Sequence, residues 1–462
     1  MAIVVRFVPK SRDRSVPFAM MASLSSEAAA MTVKPTSAGM AKGFERLSER
    51  GVESRPTSLN RLSATLSDAD FAEMFGEAAA GGLAEATGAR GLEMSSAGPE
   101  RGVELTVPEA LADVIDFAYV PRPVEYHAPP QPIPPIIPHY HLRASDVAVA
   151  LNAPRCHRLG WTGKGIKVAM TDTGFWPHPY FIRHGYNLVP TESPGSGRAD
   201  VDDNGHGTGE AANIFVMAPD CMVLGVKHGD SAAGSLEAAL AQTPHVVTNS
   251  WGWDIDSRTR AAFKANPQQI SFAELVDLES VIQQGIDAGV CVVFSAGNGH
   301  LSFPGNLPNV ISAGGATVAE DGTIEASSYA SSFESKLYPG RSVPDFCGIV
   351  GRADGPPLTG HILLPVPVGA ELDGDNFGAV AVGAGWGVFS GTSAAAPQVA
   401  GLIALLRQIK PGLKPDQIKA VLAATATDIV KGTTAHGKKA KVGPDLATGA
   451  GLVDALRACA YI

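Results

Sequence analysis

Residues 389–401 read FSGTSAAAPQVAG, a glycine turn followed by a run of small residues. The turn at Gly391 leads into a predicted helix with Ser393 in its first turn, so the positive end of the helix points at the serine hydroxyl. A serine that caps a buried Ala-rich helix gives the same pattern, and Pro397 fits either interpretation. Taken alone, this segment leaves Ser393 as a helix cap or as a nucleophile.

Two earlier segments supply the groups that would activate a serine. Residues 168–174 read VAMTDTG, an apolar strand that ends in Asp172 at the carboxyl edge of a predicted parallel sheet. Residues 204–208 read NGHGT, in which glycines flank His206 and leave room for a substrate backbone. Each segment alone has an ordinary explanation, a capping aspartate or a structural histidine. Together with the serine segment, they favour a site for acyl transfer at a peptide bond.

The region that carries these segments alternates apolar strands with longer helical stretches. The predicted strands span 166–170, 222–226, 246–249, 290–294 and 310–313. Helical composition covers 235–242 and 272–288, the second with apolar residues at helical spacing. This pattern predicts an α/β domain with a mainly parallel sheet.

A proline-rich stretch separates this domain from a smaller one. Six prolines fall between residues 129 and 138, where neither a helix nor a central strand can persist. We therefore divide the chain into an α+β domain at 1–128, a linker at 129–142 and a large domain at 143–462.

The N-terminal domain has its own strand and helix signals. Strands are predicted at 3–8, 62–66 and 114–120, and a short helix at 44–51. Ser67 lies three residues before Asp70, which predicts a capped helix through Phe75. The Ala/Gly-rich region 78–98 interrupts this pattern and is predicted to be a flexible insertion.

The order and the local strings of the three chemical segments resemble the subtilase family of serine proteases. Further matching strings are WTGKG at 161–165, NSWG at 249–252, SAGN at 295–298 and GAGLVDA at 449–455. The resemblance runs from about residue 144 to the C-terminus. It implies a subtilisin-like, three-layer α/β fold with a mainly parallel central sheet, preceded here by the smaller α+β domain.

The resemblance also implies roles for single residues. Asp172, His206 and Ser393 would form a catalytic triad. The side-chain amide of Asn298 would donate to the oxyanion, beside the backbone amide of Ser393. Without the resemblance, the string around Asn298 would be interpreted as a turn.

Two groups of residues would bind an extended polypeptide substrate. The residues that would pair with its backbone along an exposed edge are Ser250, Trp251 and Gly252. The residues that would line one wall of the primary specificity pocket are Ser295, Ala296 and Gly297. No acid follows Asn298, so we expect a small or apolar residue, rather than a basic one, before the scissile bond.

The segment after His206 departs from the secreted subtilisins. It is shorter, and Gly209 stands where a second histidine is common, so the usual calcium loop is missing from the sequence. The acidic side chains that could still offer oxygens to calcium are Asp202, Asp203, Glu371, Asp373 and Asp375. Such runs are more often solvated loops than ion sites. Calcium is allowed but not predicted, no metal site is assigned, and no cofactor is required.

The N-terminal domain resembles the small α+β propeptide that chaperones and inhibits many subtilases, in the strings at 3–7, 60–66 and 118–120. This implies that the domain is an inhibitor or chaperone of its own catalytic domain. The protein would then be a self-restrained zymogen, with the chain around Pro138 to Leu142 close to the active site. The alternative is an ordinary regulatory or partner-binding domain that is never removed.

Two other functions compete with a serine protease. A catalytically silent subtilase fold could bind peptides or a partner protein, but all four polar groups needed for catalysis are present, and losing one costs orders of magnitude in rate. An aspartic protease built on the DTG string at 172–174 would need a second such string, because two carboxylates share a proton in that chemistry.

Charge and hydropathy limit which partners the protein can bind and where in the cell it can reside. A formal net charge of −10, with scattered positive residues, makes nucleic acid a poor partner. No apolar run reaches the length that spans a membrane. The first residues are broken by Arg6, Lys10 and Arg12 and lack a secretory hydrophobic stretch. We therefore expect a cytoplasmic protein, with secretion as the alternative.

Overall fold

The computed structural model describes residues 2–11, 33–86, 102–122, 125–126, 141–255, 258–352, 360–373 and 385–462. These residues form an antiparallel sheet near the N-terminus and a larger, mainly parallel sheet after it. Most of the predicted linker at 129–142 lies outside the described residues. The division of the chain into domains at those boundaries therefore stays a prediction.

The N-terminal region is a five-stranded antiparallel sheet with helices, in the order β2-β3-β1-β5-β4. Its strands are β1 (Ala2–Pro9), β2 (Ser54–Pro56), β3 (Leu62–Ser67), β4 (Val103–Leu105) and β5 (Ile115–Val120). Its described helices are α1 (Ser37–Ser48), α2 (Asp68–Phe75), α3 (Glu77–Ala86) and a 3₁₀ turn (Glu109–Leu111). A two-residue strand, β6 (Glu125–Tyr126), follows. The predicted α+β character of this region is confirmed.

Two helices of this region differ from the sequence predictions. Helix α1 begins at Ser37, seven residues before the predicted start, because Thr36 caps it by accepting a hydrogen bond from the amide of Gly39. The predicted flexible insertion at 78–98 is wrong for its first part, since α3 extends to Ala86. Alanines favour a helix strongly enough to tolerate the two glycines in it. Residues 87–98 lie outside the described residues.

The larger sheet has eight strands in the order β15-β14-β12-β10-β7-β9-β8, with β18 also paired to β14. The strands are β7 (Lys167–Asp172), β8 (Asn187–Thr191), β9 (Met222–Lys227), β10 (Val246–Asn249), β12 (Cys291–Ser295), β14 (Ile311–Val318), β15 (Ile324–Ala326) and β18 (Phe346–Ile349). Adjacent strands run parallel, except that β15 is antiparallel to β14. The predicted mainly parallel sheet is confirmed.

Helices cover both faces of this sheet and make the fold three-layered. The helices after residue 140 are α4 (Ala144–Ala150), α5 (Ala153–Arg158), α6 (Pro179–His184), α7 (His206–Met217), α8 (Ala232–Ala241), α9 (Arg260–Ala265), α10 (Phe272–Asp287), α11 (Thr392–Ile409), α12 (Pro415–Thr425) and α13 (Ala455–Tyr461). Side chains of β7 alternate between two cores: Val168 and Met170 pack with α7 and α11, and Ala169 packs with α8 and α10. The central strand is therefore buried on both faces.

Short strands in the described residues form three smaller sheets. Strand β11 (Trp251–Asp254) pairs antiparallel with β13 (Ser302–Phe303) on one side and with β6 on the other. Two further hairpins are formed by β16 (Phe333–Glu334) with β17 (Ser342–Val343), and by β19 (Ile362–Pro365) with β20 (Trp386–Phe389). Of the helices in the described ranges, none is both long and apolar enough to cross a membrane.

The N-terminal sheet docks onto α8 and α10 through buried charges. Asp277 on α10 lies 2.7 Å from Nε of Arg6 and 2.6 Å from Nε of Arg61, and it accepts a 2.7 Å hydrogen bond from the hydroxyl of Tyr119. Glu237 on α8 lies 2.9 Å from Nη2 of Arg6. All of these side chains are buried. Burial alone raises the pKa of Asp277, but the two guanidinium groups lower it to about 2.

Replacing Asp277 with Asn should destabilise the protein strongly. The substitution leaves two buried guanidinium groups without their shared carboxylate, which costs about 3–5 kcal/mol of the free energy of unfolding. Urea unfolding in the Ser393→Ala background, which prevents self-digestion by the predicted activity, measures this loss. Because the folded-state pKa of Asp277 is lowered, its contribution is present above about pH 4 and is lost as the pH falls towards 2.

The matched control is Asp287→Asn on the same helix. Asp287 forms a 3.4 Å ion pair with Lys34, and both side chains are about half exposed. Such surface pairs contribute about 0–1 kcal/mol. Equal losses for the two variants would contradict a stabilising role for the buried charges.

Candidate active site

Asp172 ends the central strand β7 at the carboxyl edge of the sheet, as the sequence predicted. Its side chain is fully buried, and its Oδ1 accepts a 2.8 Å hydrogen bond from the amide of Thr173. The amide of His228, which follows the neighbouring strand β9, donates to the backbone carbonyl of Asp172. Burial lowers the pKa of the His228 ring to about 4, so this imidazole is neutral and is a poor general base.

His206 is the first residue of α7, and its Nδ1 lies 2.8 Å from Oδ1 of Asp172. A side chain at position 207 would overlap the carbonyl of Gly174, so glycine allows the helix to begin this close to β7. Burial alone lowers the pKa of His206, but nearby carboxylates, Asp172 first among them, outweigh it and raise the pKa to about 9. The structure therefore joins two of the predicted catalytic residues.

A second acid, Asp202, fixes the loop that leads into α7. Its two oxygens accept hydrogen bonds from the hydroxyl of Thr173, the amide of Gly205, and the amide and hydroxyl of Thr208. From the sequence, Asp202 is considered only as a possible calcium ligand, and this role is missed. Its position three residues before a glycine at a helix start is typical of a capping turn, and that signal could have identified it.

Ser393 is the second residue of α11, which follows a turn at Gly391 with φ of 144°. The hydroxyl of Ser393 lies 3.4 Å from the carbonyl oxygen of Ser250, and the Ser250 hydroxyl donates a 2.9 Å hydrogen bond to the carbonyl of Ser393. The first amides of a helix lack partners within that helix. The serine therefore lies where the positive end of α11 meets the strand that was predicted to bind substrate.

Asn298 lies directly across from this helix start, in the turn after β12. Its Oδ1 accepts hydrogen bonds from the amide of Thr392 at 2.9 Å and from the Thr392 hydroxyl at 3.1 Å. The Thr392 hydroxyl also accepts a 3.1 Å hydrogen bond from the amide of Gly297. Because the oxygen of the Asn298 amide is held by Thr392, its Nδ2 is the donating end. Thr392 is a positioning residue that the sequence analysis missed.

The predicted substrate-binding edge, Ser250, Trp251 and Gly252, is buried rather than exposed. Strand β6 of the same chain occupies it, with Tyr126 opposite Trp251 and Glu125 opposite Gly252. The Trp251 ring turns into the core, and its Nε1 donates a 2.7 Å hydrogen bond to the Thr171 hydroxyl. The edge does pair with an extended chain, but in this structure that chain is the protein's own strand β6.

The predicted pocket wall, Ser295, Ala296 and Gly297, follows the end of β12 and is also buried. Ala296 packs against Phe333 and Val343, which gives this wall an apolar backing. The amide of Ser331 donates to the carbonyl of Gly297 and fixes the turn. The structure therefore places these residues beside Asn298 and the start of α11.

The acids considered for calcium are mostly used by the protein itself. Asp373 accepts hydrogen bonds from the amides of Gly369 and Gly385, both at 2.8 Å. Glu371 accepts one from the Asn204 side chain at 2.6 Å. Asp375 lies outside the described residues. Within the ranges that the structure covers, no group of three or more His, Cys, Asp or Glu is arranged to hold a metal ion.

Glu210 is a buried acid near this site that the sequence analysis did not consider. It lies one turn after His206 on α7, and its Oε2 accepts a 2.8 Å hydrogen bond from the Asn213 side chain. Burial raises the pKa of Glu210 to about 7, although the charge of His206 opposes the rise. The signal available in the sequence was an acid four residues after a histidine, which puts both on one face of a helix.

Comparison with known proteins places the described geometry in a family. The model of the subtilase family matches residues 163–451. Subtilisin Savinase of Lederbergia lenta is 28% identical over 285 residues, covering 60% of this chain and 90% of that protein. An extracellular serine protease of Serratia marcescens is 24% identical over 335 residues, covering 61% of this chain and 31% of that protein.

A solved structure of fervidolysin from Fervidobacterium pennivorans, described as a keratinolytic enzyme related to subtilisin, has the same fold. Its TM-score is 0.58 at 18% identity, with 100% of this chain and 61% of that chain covered. The matched part also spans 63% of the length of two alkaline proteases. Because the family model covers more than half of the chain and includes the Asp172, His206, Asn298 and Ser393 positions, the chain belongs to the subtilase family.

Proposed function

We propose that the chain is a serine endopeptidase that hydrolyses peptide bonds through Asp172, His206 and Ser393. The observation that carries this proposal is the 2.8 Å contact between His206 Nδ1 and Asp172 Oδ1, at the sheet edge where the helix bearing Ser393 begins. A carboxylate on Nδ1 fixes the tautomer in which Nε2 can act as the base. Membership of the subtilase family supports the same chemistry.

In the proposed reaction, the Ser393 oxygen attacks the carbonyl carbon of the scissile bond while His206 takes the hydroxyl proton. The carbonyl electron pair moves onto oxygen, and Asn298 Nδ2 and the Ser393 amide donate to that oxyanion. The C–N bond then breaks, and His206 gives its proton to the leaving amine. A water molecule, deprotonated by His206, hydrolyses the acyl-enzyme and frees Ser393.

The N-terminal region is proposed to be the inhibitor of this site and a chaperone for its folding. Strand β6 lies on the edge that an extended substrate would occupy, so it competes directly with a polypeptide for the same backbone pairing. The buried contacts of Arg6 and Arg61 with Asp277 hold the rest of the region in place. The protein is thus proposed to be a self-restrained zymogen.

A location outside the cell fits better than the predicted cytoplasmic one. The comparisons give no support to a cytoplasmic enzyme, and the Serratia marcescens relative is by name extracellular. We therefore propose that the alternative considered from the sequence, secretion, applies to this chain.

Covalent labelling tests the proposed nucleophile. A fluorophosphonate probe should label the wild-type chain once β6 leaves the edge at Trp251 and Gly252. The Ser393→Ala variant should not be labelled, and its rate of peptide hydrolysis should fall by at least about 10⁵-fold. Intact mass measures the label. Ser390→Ala, in the same turn, is the matched control and should keep both. Label that persists in Ser393→Ala, or that never forms on the wild type, would contradict the proposal.

Self-cleavage tests the zymogen. Along β6, successive residues pair with Gly252 and then Trp251, so the chain at Tyr126 runs towards Ser250 and the hydroxyl of Ser393. Incubation of the full-length protein should therefore produce a new N-terminus between residues 127 and 140, seen by intact mass and N-terminal sequencing. Cleavage by a tethered strand should be first order and independent of protein concentration.

The Ser393→Ala chain is the control for this reaction and should stay whole. Full peptidase activity in an uncleaved wild-type chain would reject self-processing and leave the N-terminal region as a permanent domain.

The cleavage preference follows from the pocket wall. Ala296 is backed by the apolar side chains of Phe333 and Val343, and such a wall favours small or apolar side chains over charged ones. A peptide library analysed by mass spectrometry should show small or apolar residues before the scissile bond. A profile dominated by Arg or Lys would overturn this expectation.

A further inference from the structure

The buried carboxyl of Glu210 has no part in the mechanism above. Glu210 is 1% exposed and lies on α7 four residues after His206, so the two side chains occupy the same face of the helix one turn apart. A buried acid without a role is costly, because an apolar residue of similar size would avoid the desolvation of its charge. Its place in the proposed reaction therefore needs an explanation.

A chain of hydrogen bonds fixes the Glu210 side chain. Asn213 donates a 2.8 Å hydrogen bond to Glu210 Oε2, and Gln398 on α11 donates a 3.1 Å hydrogen bond to Asn213 Oδ1. Gln398 is anchored in turn by two 2.8 Å hydrogen bonds with the backbone of Ile349 on β18. The network connects the helix of His206 to the helix of Ser393.

An aromatic ring packs beside this buried region. The ring of Phe389 lies against Gly209, where a side chain would overlap it, and its centroid lies 6.4 Å from that of His206. Gly209 is the position at which this chain departs from the secreted subtilisins. A charge in such a dry region acts on its neighbours more strongly than one in water.

The charged groups around Glu210 are few and can be named from the described residues. His206 acts on it from its own helix, and Asp172 acts on it from the end of β7. Asp202, in the preceding loop, acts on His206. From α11, the facing polar side chain is the neutral amide of Gln398, which reaches Glu210 through Asn213. The cation that complements Glu210 is therefore the imidazolium of His206.

We propose that Glu210 is a positioning residue for the reaction: with Asp172, its carboxylate stabilises the imidazolium that forms when His206 takes the proton of Ser393. Asp172 acts on the ring through Nδ1, and Glu210 acts from the adjacent helical turn. This inference rests on the proposed serine-protease function for its effect on rate, but not for its effect on the basicity of His206.

The coupling has a signature in the pH dependence. Burial raises the pKa of Glu210 to about 7, so its charge is present only above that pH. That charge is among the causes that raise the pKa of His206 to about 9. A general base must be neutral to accept a proton, so the acid limb of kcat/KM should follow the titration of His206.

The test compares Glu210→Gln with Glu210→Asp and with the wild type. Gln keeps the shape and the acceptor for Asn213 but removes the charge, whereas Asp keeps the charge. Glu210→Gln should move the acid limb of kcat/KM down by about one pH unit, a tenfold change in proton affinity, and lower the alkaline plateau by about 3–10-fold. Glu210→Asp should restore most of both. Asp416→Asn, an exposed acid on α12, should change neither.

A second measurement does not depend on activity. In the full-length Ser393→Ala chain with ¹³C-labelled histidine, NMR titration should show the His206 pKa about one unit lower when Glu210→Gln is added. The resonance is assigned by its loss in His206→Gln. An unchanged His206 pKa overturns the inference even if activity falls, since a packing defect would do that. A shifted pKa in a protein without Ser393-dependent hydrolysis would keep the charge coupling and reject the proposed function.

Discussion

The hydrogen bond between Asp172 and His206 requires the end of β7 and the start of α7 to lie very close together, and the surrounding structure makes this possible. It joins the end of a central strand to the start of a helix that begins 34 residues later, at a distance of 2.8 Å. Two conditions make this approach feasible. Gly207 removes the side chain that would strike the Gly174 carbonyl, and Asp202 ties the connecting loop to both Thr173 and Thr208. A similar closeness brings α7 against α11, where a side chain at Gly401 would overlap Ile214 and Met217. Glycines at these contacts thus allow the close approach of α7 to β7 and to α11.

Several charged side chains are buried near His206. The active-site side holds Asp172, Asp202 and Glu210 around one imidazole, and their combined effect makes His206 more basic than a free histidine. Asp202 offsets its burial with four hydrogen bonds. Glu210 is held by a single neutral amide, and burial keeps its pKa near neutrality. These two acids therefore differ in kind: one holds a loop through four hydrogen bonds, and the other keeps a pKa near neutrality beside the imidazole.

The sequence was sufficient for the fold class, and it predicted a functional pair in Asp172 and His206, whose side chains lie 2.8 Å apart in the structure. Strand-ending acids, glycine-flanked helix starts and the order of the segments are local signals, and local signals survive in a single sequence. What could not be predicted depends on distant pairing. The Arg6 and Arg61 contacts with Asp277 span more than 200 residues. The hydrogen bond from the Thr392 amide to Asn298 Oδ1 spans 94 residues. The backbone pairing of Trp251 with Tyr126 on β6 spans 125 residues. The difference at α3 has a local cause. Its two glycines disfavour a helix, but the alanines around them favour one more strongly.

The N-terminal region contacts the larger domain at two places, through backbone hydrogen bonds at one and through buried ion pairs at the other. At the active-site edge, β6 is held by backbone pairing of two residues, which a cut beyond Tyr126 would leave with a free end. At the second place, the guanidinium groups of Arg6 and Arg61 share the buried carboxylate of Asp277 on α10. Breaking the covalent chain removes the tether but none of these ionic contacts. Separation of the cut pieces then requires these buried ion pairs to break, and hydration of the freed charges offsets part of the lost attraction. In the proposed zymogen, cleavage and release are therefore distinct events: the proposed triad controls the first, and the stability of the interface on α8 and α10 controls the second.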